Sequence, residues 1–160
     1  MHWEQAFESV AATHEGLVAK FHLPEIGCNS DHWWRAIRTG RWLPVGPRLI
    51  RAAAAPASDA RRVLAGVLDA NPGAALHGPS ALAWVGVRGF DLARLQVARA
   101  RGVSGTRASL AQLHEVRALR AHHLTVVRGV VTETALRAVW GEAERFGPER
   151  LHEVGLARIG

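Results

Sequence analysis

The chain has 160 residues, 20 lysines and arginines against 14 acids, a formal net charge of +6 and 48% hydrophobic content. That balance suits one ordinary core or two small ones and excludes a generally disordered chain. A single cysteine, Cys28, excludes an internal disulfide and a thiolate metal cage, and no apolar run approaches the length of a membrane-spanning helix.

The N-terminal Met1-His2-Trp3-Glu4-Gln5 lacks the basic and apolar regions of a signal peptide, so a soluble cytoplasmic protein is expected. Trp3, Ala6, Phe7, Val10 and Ala11 recur at helical spacing and predict a short amphipathic helix. Gly16-Leu17-Val18 breaks it, and residues 19–23 fit a second short helix ended near Pro24. Asn29 or Ser30 caps the next helix, with Asp31 complementing the dipole in its first turn. That helix runs to about Thr39 and stops at Gly40. Residues 41–50 read as two short strands around a Pro/Gly turn. Helix, helix, capped helix and hairpin follow one another in the order of a winged helix. Residues 52–57, small and proline-containing, read as a linker.

A second unit begins at Ser58-Asp59, where Val63, Leu64, Val67 and Leu68 form one apolar helix face ended by Asn71-Pro72-Gly73. Gly78-Pro79-Ser80 opens a short helix carrying Leu82, Ala83 and Trp84. Residues 95–98, 113–116 and 124–127 read as strands, 99–107 as a basic glycine-containing loop, and Arg128-Gly129 as a turn into Val130-Val131. Thr132 then caps a helix with Glu133 in its first turn, inward residues Leu136, Val139, Trp140, Ala143 and Phe146, and Gly147 as its stop. Pro148 starts a last helix that runs to Gly160. The expected fold class is therefore α+β: a winged helix-turn-helix over residues 1–51, followed by a small mixed α/β domain over 58–160.

The charge is concentrated. Between Asp31 and Asp59 there is no acidic residue, and that stretch holds Arg35, Arg38, Arg41, Arg48 and Arg51. Arg35 and Arg38 are three apart and share a helix face, which His32 extends by a turn. Trp33 and Ile37 form the inward stripe, with Trp34 at its edge. Arg41 and Arg48 fall on the hairpin, where a wing meets the minor groove or the backbone. Double-stranded DNA is the first partner such a positive element suggests. The same pattern also describes a solvated helix face without a ligand.

Catalysis has no comparable support. Adjacent His122 and His123 would point opposite ways in a strand and chelate poorly, and no histidine pair has helical chelating spacing. Gly78-Pro79-Ser80 is not a nucleophile elbow, and Gly102-Val103-Ser104-Gly105-Thr106 lacks the lysine of a phosphate loop. A metal-dependent nuclease needs clustered carboxylates near a lysine, yet Lys20 is the only lysine and Glu142, Glu144, Glu149 and Glu153 sit on late helices. No catalytic residue, cofactor or metal is expected, and Cys28 reads as packing.

Four segments resemble one family: residues 16–20, residues 30–41, the run 73–87 with its Leu76-His77-Gly78-Pro79-Ser80-Ala81-Leu82-Ala83-Trp84, and the run 124–132. These resemble the AbiEi-like antitoxins of type IV toxin–antitoxin systems, along with actinobacterial proteins that join the same front part to a Vsr-like endonuclease domain. The likeness covers most of residues 14–146. Val131 stands where the family pattern has proline, and the turn at Pro44-Val45-Gly46-Pro47 carries two prolines. The resemblance implies a winged-helix domain that represses its own operon and a second domain that opposes a nucleotidyltransferase-like toxin. Endonuclease activity is not carried over, because no such domain follows Gly160.

The expected function is accordingly a DNA-binding transcriptional regulator of the antitoxin kind. His32, Arg35 and Arg38 would face the major groove, and Lys20, Ser30, Arg41 and Arg48 would hold phosphates or the minor groove. Two other readings stay open: a protein-interaction module that neutralises a toxin without binding DNA, and a truncated relative of a Vsr-like endonuclease. No coiled coil or self-complementary stripe declares an oligomeric state.

Overall fold

Gly16 is where the first helix gives way to a strand. In the computed structural model, which describes residues 2–71, 73–103 and 107–146, helix α1 (Trp3–Thr13) ends just before it. Gly16 has φ of +81°, and a Cβ there would lie 2.7 Å from Cβ of Ala55, so only glycine permits the close approach. Strand β1 (Leu17–Ala19) follows, then a 3-10 turn (Lys20–His22) where a second short helix was expected. Helix α2 (Ser30–Arg38) leads into strands β2 (Trp42–Gly46) and β3 (Leu49–Ala52). The three strands form an antiparallel sheet in the order β1-β3-β2, which puts Pro44 on an edge strand where its missing N–H is harmless.

This small sheet is buried on both faces. Val18 and Ile50, paired across β1 and β3, join Trp3, Phe7, Trp33 and Trp42 in one core under α1 and α2. Leu17, Ala19 and Leu49 point the other way, into a second core built on helix α3 (Asp59–Asp69). Ser58 caps α3, its hydroxyl accepting the Arg61 N–H at 3.1 Å.

The second sheet has five strands in the order β6-β5-β4-β8-β7. Its members are β4 (Ala75–Leu76), β5 (Gln96–Ala100), β6 (Gln112–Val116), β7 (Leu124–Val127) and β8 (Val130–Glu133). Pairings β4–β8 and β5–β6 are parallel, and β4–β5 and β7–β8 antiparallel. Leu76, Val97 and Val130 extend the α3 core, so α3 packs on both sheets. Helices α4 (Gly78–Trp84) and α5 (Ala135–Phe146) pack on each other. Trp84 locks α4 to the β7–β8 turn: its Nε1 donates to the Val127 carbonyl at 2.9 Å, and the Arg128 guanidinium lies 3.5 Å from its ring centroid. The described chain is thus mixed α+β, with five α-helices and two sheets.

Several expectations are corrected. Thr132 and Glu133 extend β8, pairing with Thr125 and Leu124, and Thr134 instead precedes α5, accepting the Ala138 N–H through its carbonyl. The inward face of α5 is also rotated. Ala138 is 1% exposed, while Leu136 and Trp140 are 79% and 63% exposed. The small Ala138 allows α5 to approach Ala81 and Leu82 of α4 closely, which the larger stripe would not. Arg99 belongs to β5, is buried, and donates to the Ala70 carbonyl at 3.2 Å. His122 and His123 lie in a 3-10 turn, not a strand, with ring centroids 4.1 Å apart. Pro72, residues 104–106, the Phe146 side chain, Gly147 and the expected last helix over 148–160 lie outside the described residues.

Both ends of α3 carry buried charged side chains. Arg61 donates from Nε to the Glu15 carbonyl and from Nη1 to the Ala55 carbonyl, each at 2.8 Å. Asp69 accepts the N–H groups of Ser109 at 2.6 Å and Leu110 at 3.0 Å. Asp69→Ala leaves those donors without an acceptor and is expected to cost about 1–3 kcal/mol. Urea unfolding should show a lower midpoint at unchanged slope, whereas Asp59→Ala, on the exposed first turn, should shift stability by less than about 1 kcal/mol.

Candidate nucleic-acid interface

Helix α2 is capped from both directions. Asn29 Oδ1 accepts the N–H groups of Asp31 and His32, each at 3.1 Å, and the Asn29 N–H is returned to Nδ1 of His32 at 3.2 Å. The cap is Asn29, so Ser30 is the first helical residue, with its side chain exposed. Gly40, at φ of +72°, ends the helix as expected. Trp33 is 1% exposed and Ala36 fully buried, and these hold the helix against the first sheet.

Opposite them lies an exposed stripe of Asp31, Trp34, Arg35 and Arg38. Arg35 and Arg38 have no hydrogen-bond or ion-pair partner among the described residues, so the helix presents two unpaired guanidinium groups on one face, with Asp31 a turn before Arg35. His32 does not join that stripe. Its ring is occupied by the cap and stacks on Trp3, with centroids 6.2 Å apart and planes 15° off parallel. Trp34, expected at the inward edge, is 52% exposed.

The remaining expected contacts divide. Arg48 sits in the β2–β3 turn, half-buried, and its carbonyl accepts the Lys20 N–H at 2.9 Å, which draws that turn towards the 3-10 turn. Lys20 Nζ lies 5.5 Å from the Trp33 ring centroid and 5.3 Å from that of Trp34. Arg41 precedes β2 and turns away from the arginine pair: Nη2 is 2.7 Å from Glu8 and Nη1 3.7 Å from Glu4, both on α1. Arg51 donates to the carbonyls of Ala52 and Ala53, each at 3.2 Å. The structure therefore groups Lys20, Arg35 and Arg38 around Trp34, with Arg48 tied to Lys20 through the backbone. Arg41 and His32 are engaged elsewhere.

Sequence reasoning missed a second polar cluster. Glu133, 1% exposed, accepts the Gly78 N–H at 3.2 Å and has Nδ1 of His77 2.9 Å away in an oblique contact. Burial pushes its carboxyl up, but the His77 ring, the Gly78 N–H and the charge of Arg137 outweigh burial and hold it below its ordinary value. His114 lies 5.0 Å from His77, ring to ring. The polar side chain on a residue otherwise placed at a helix start was the one available signal. Among the described residues no three His, Cys, Asp or Glu side chains are grouped to hold a metal ion. None of the helices among the described residues is long and apolar enough to cross a membrane. No known protein-family model matches the chain, and no curated protein shows significant similarity to it.

The 3-10 turn that carries Lys20 is pinned by His22, 5% exposed, whose Nδ1 accepts the Ala19 N–H at 3.1 Å. Burial, and then the neighbouring His14, lower its pKa from the ordinary value of 6.5, against a smaller opposing effect of Glu25. A base whose folded pKa is depressed leaves stability unchanged well above 6.5. Below it the unfolded chain takes up a proton the fold resists, so stability falls as pH drops until the folded pKa is reached. His22→Asn keeps an acceptor and removes the titration. Urea midpoints measured from pH 7 to pH 5 should fall less steeply in that variant than in the wild type.

Proposed function

We propose that the chain is a DNA-binding transcriptional regulator, antitoxin-like and controlling its own operon, and that it binds without catalysing a reaction. The observation that carries this reading is the pair Arg35 and Arg38: exposed, adjacent and without a partner among the described residues, on a doubly capped helix held from behind by Trp33. In this reading residues 1–51 act as a winged helix. The segment α1-β1-turn-α2-β2-β3 supports it by supplying the expected order, with a 3-10 turn in place of the middle helix. The described part of residues 58–160 then supplies the second, mixed unit, which shares the α3 core with the first sheet.

Arg35 and Arg38 face the major groove, and Lys20 and Arg48 neutralise phosphates. Ser30, exposed at the first turn, lies where an N-terminal hydroxyl can reach phosphate. Losing Arg35 or Arg38 should cost about 1–3 kcal/mol and relax specificity at one base position. Arg48→Ala should weaken all sequences alike and lower the salt slope by about one. Fluorescence anisotropy titrations of operator-proximal duplexes across salt measure both. An Arg35→Ala/Arg38→Ala double variant with unchanged affinity and unchanged salt slope would falsify the reading.

A second role is favoured by α5. Leu136 and Trp140 lie exposed one turn apart and line a groove of about 680 Å³ with His122, His123 and Thr134. Exposed apolar side chains of this size mark interaction surfaces. This is the face we assign to a nucleotidyltransferase-like toxin. Leu136→Ala with Trp140→Ala should abolish co-purification with a toxin encoded alongside the chain and leave the DNA titration unchanged.

A further inference from the structure

The outer face of α2 carries an indole as well as two guanidinium groups. Trp34 precedes Arg35 directly and lies one turn before Arg38, so the three share the exposed stripe. Nearby, Phe21 is 43% exposed on the 3-10 turn that supplies Lys20. Lys20 serves two indoles with one ammonium, since Trp33 beneath it is buried and Trp34 is open. Of the two neighbouring tryptophans, Trp33 anchors the helix, while Trp34 is 52% exposed and meets the Lys20 ammonium.

A continuous duplex has little to offer such a side chain. The major groove presents base edges and thymine methyl groups, while the base faces are closed by stacking. Guanidinium groups match edges and phosphates; an indole matches a face. Faces open only where a base leaves the stack, and an aromatic ring then takes it with little regard to sequence. Aromatic side chains interleaved with cations are the surface that unstacked nucleotides require.

Building on the DNA-binding reading above, we infer that Trp34 is a stacking residue for an unpaired base. The α2 face therefore prefers DNA carrying a bulged or single-stranded nucleotide to the same duplex without one. Arg35 and Arg38 hold the flanking phosphates and edges, and Lys20 orients the indole.

The test uses the full chain and three fluorescein-labelled probes: a continuous duplex, the same duplex with one bulged thymine, and one strand alone. The wild type is expected to bind the bulged duplex about tenfold tighter than the continuous one. Trp34→Ala should bring the two affinities to within about twofold without altering the salt slope, because no charge is removed. Trp34→Phe should keep most of the preference. The side chain is exposed, so both variants should unfold at the wild-type urea midpoint. Equal wild-type affinity for continuous and bulged duplex, or an unchanged ratio in Trp34→Ala, overturns the inference while leaving DNA binding intact. If the Arg35→Ala/Arg38→Ala variant binds all three probes with wild-type affinity and salt slope, DNA recognition by this face fails, and the stacking role fails with it.

Discussion

Helix α3 has apolar residues on more than one side, and the two sheets meet it from different directions. Leu17, Ala19 and Leu49 of the first sheet and Leu76, Val97 and Val130 of the second all bury against the cluster that includes Val63, Leu64 and Val67. Strands of three residues, such as β1, or of two, such as β4, cannot hold a sheet together by backbone pairing alone. They persist because α3 covers them. Its charged residues reinforce the arrangement. A buried charge is tolerated only when its hydrogen bonds are made; Arg61 bonds the nearby Ala55 and the distant Glu15, and Asp69 bonds the distant Ser109 and Leu110. Arg61 draws in the backbone around Gly16 and Ala55, while Asp69 draws in Ser109 and Leu110.

The basic surface inherits its geometry from that constraint. With Leu17, Ala19 and Leu49 committed to α3, the pleat turns Val18 and Ile50 to the opposite face. There they receive the aromatic layer of α1 and α2, in which Phe7 meets Trp3 and Trp42 edge to face at 5.5 and 5.6 Å. Trp33 enters the same layer and sets the rotation of α2 about its own axis. That rotation decides which residues face out, and it is why Trp34, Arg35 and Arg38 are exposed while His32 meets Trp3 instead.

Much of this was legible in the residues. Caps and stops announced themselves chemically: Asn29 before α2, Ser58 before α3 and Gly40 after α2 act as their side chains, or the lack of one, require. The hairpin β2–β3 followed from its Pro/Gly turn. Strand β1 was hidden because all three of its residues are buried, so it lacks the alternation that marks a strand with one wet face. The start of α5 was misplaced because Thr132 is a good cap by type, and only the pairing of β8 with β7 shows that it is needed as a strand residue. Apolar spacing in α5 was right for Val139, which packs beside Ala138, and wrong for Leu136 and Trp140, which are exposed. Which of two faces is buried depends on what α4 offers, and Ala81 and Leu82 suit Ala138. The stripe of α2 was read correctly for Arg35, Arg38 and Trp33, and incorrectly for Trp34 and His32, whose surroundings come from α1 and the 3-10 turn.

The acid-free stretch between Asp31 and Asp59 overstates the charge available for recognition. An interval of sequence without acids is not a volume of space without acids. Glu4 and Glu8, on α1, close on Arg41, and the carbonyls of Ala52 and Ala53 take up Arg51. Exposed ion pairs are worth little to stability, but they fix where a guanidinium points and lower its field towards solvent. Of the five arginines, Arg35 and Arg38 remain on the helix face and Arg48 at the β2–β3 turn, with Lys20 close by. Phosphate affinity depends on how many such charges can act together, and each one that acts adds about one unit to the salt slope. Of the arginines in that stretch, fewer stand free than the sequence promises, and two of them, Arg35 and Arg38, share a helix face with the exposed indole of Trp34.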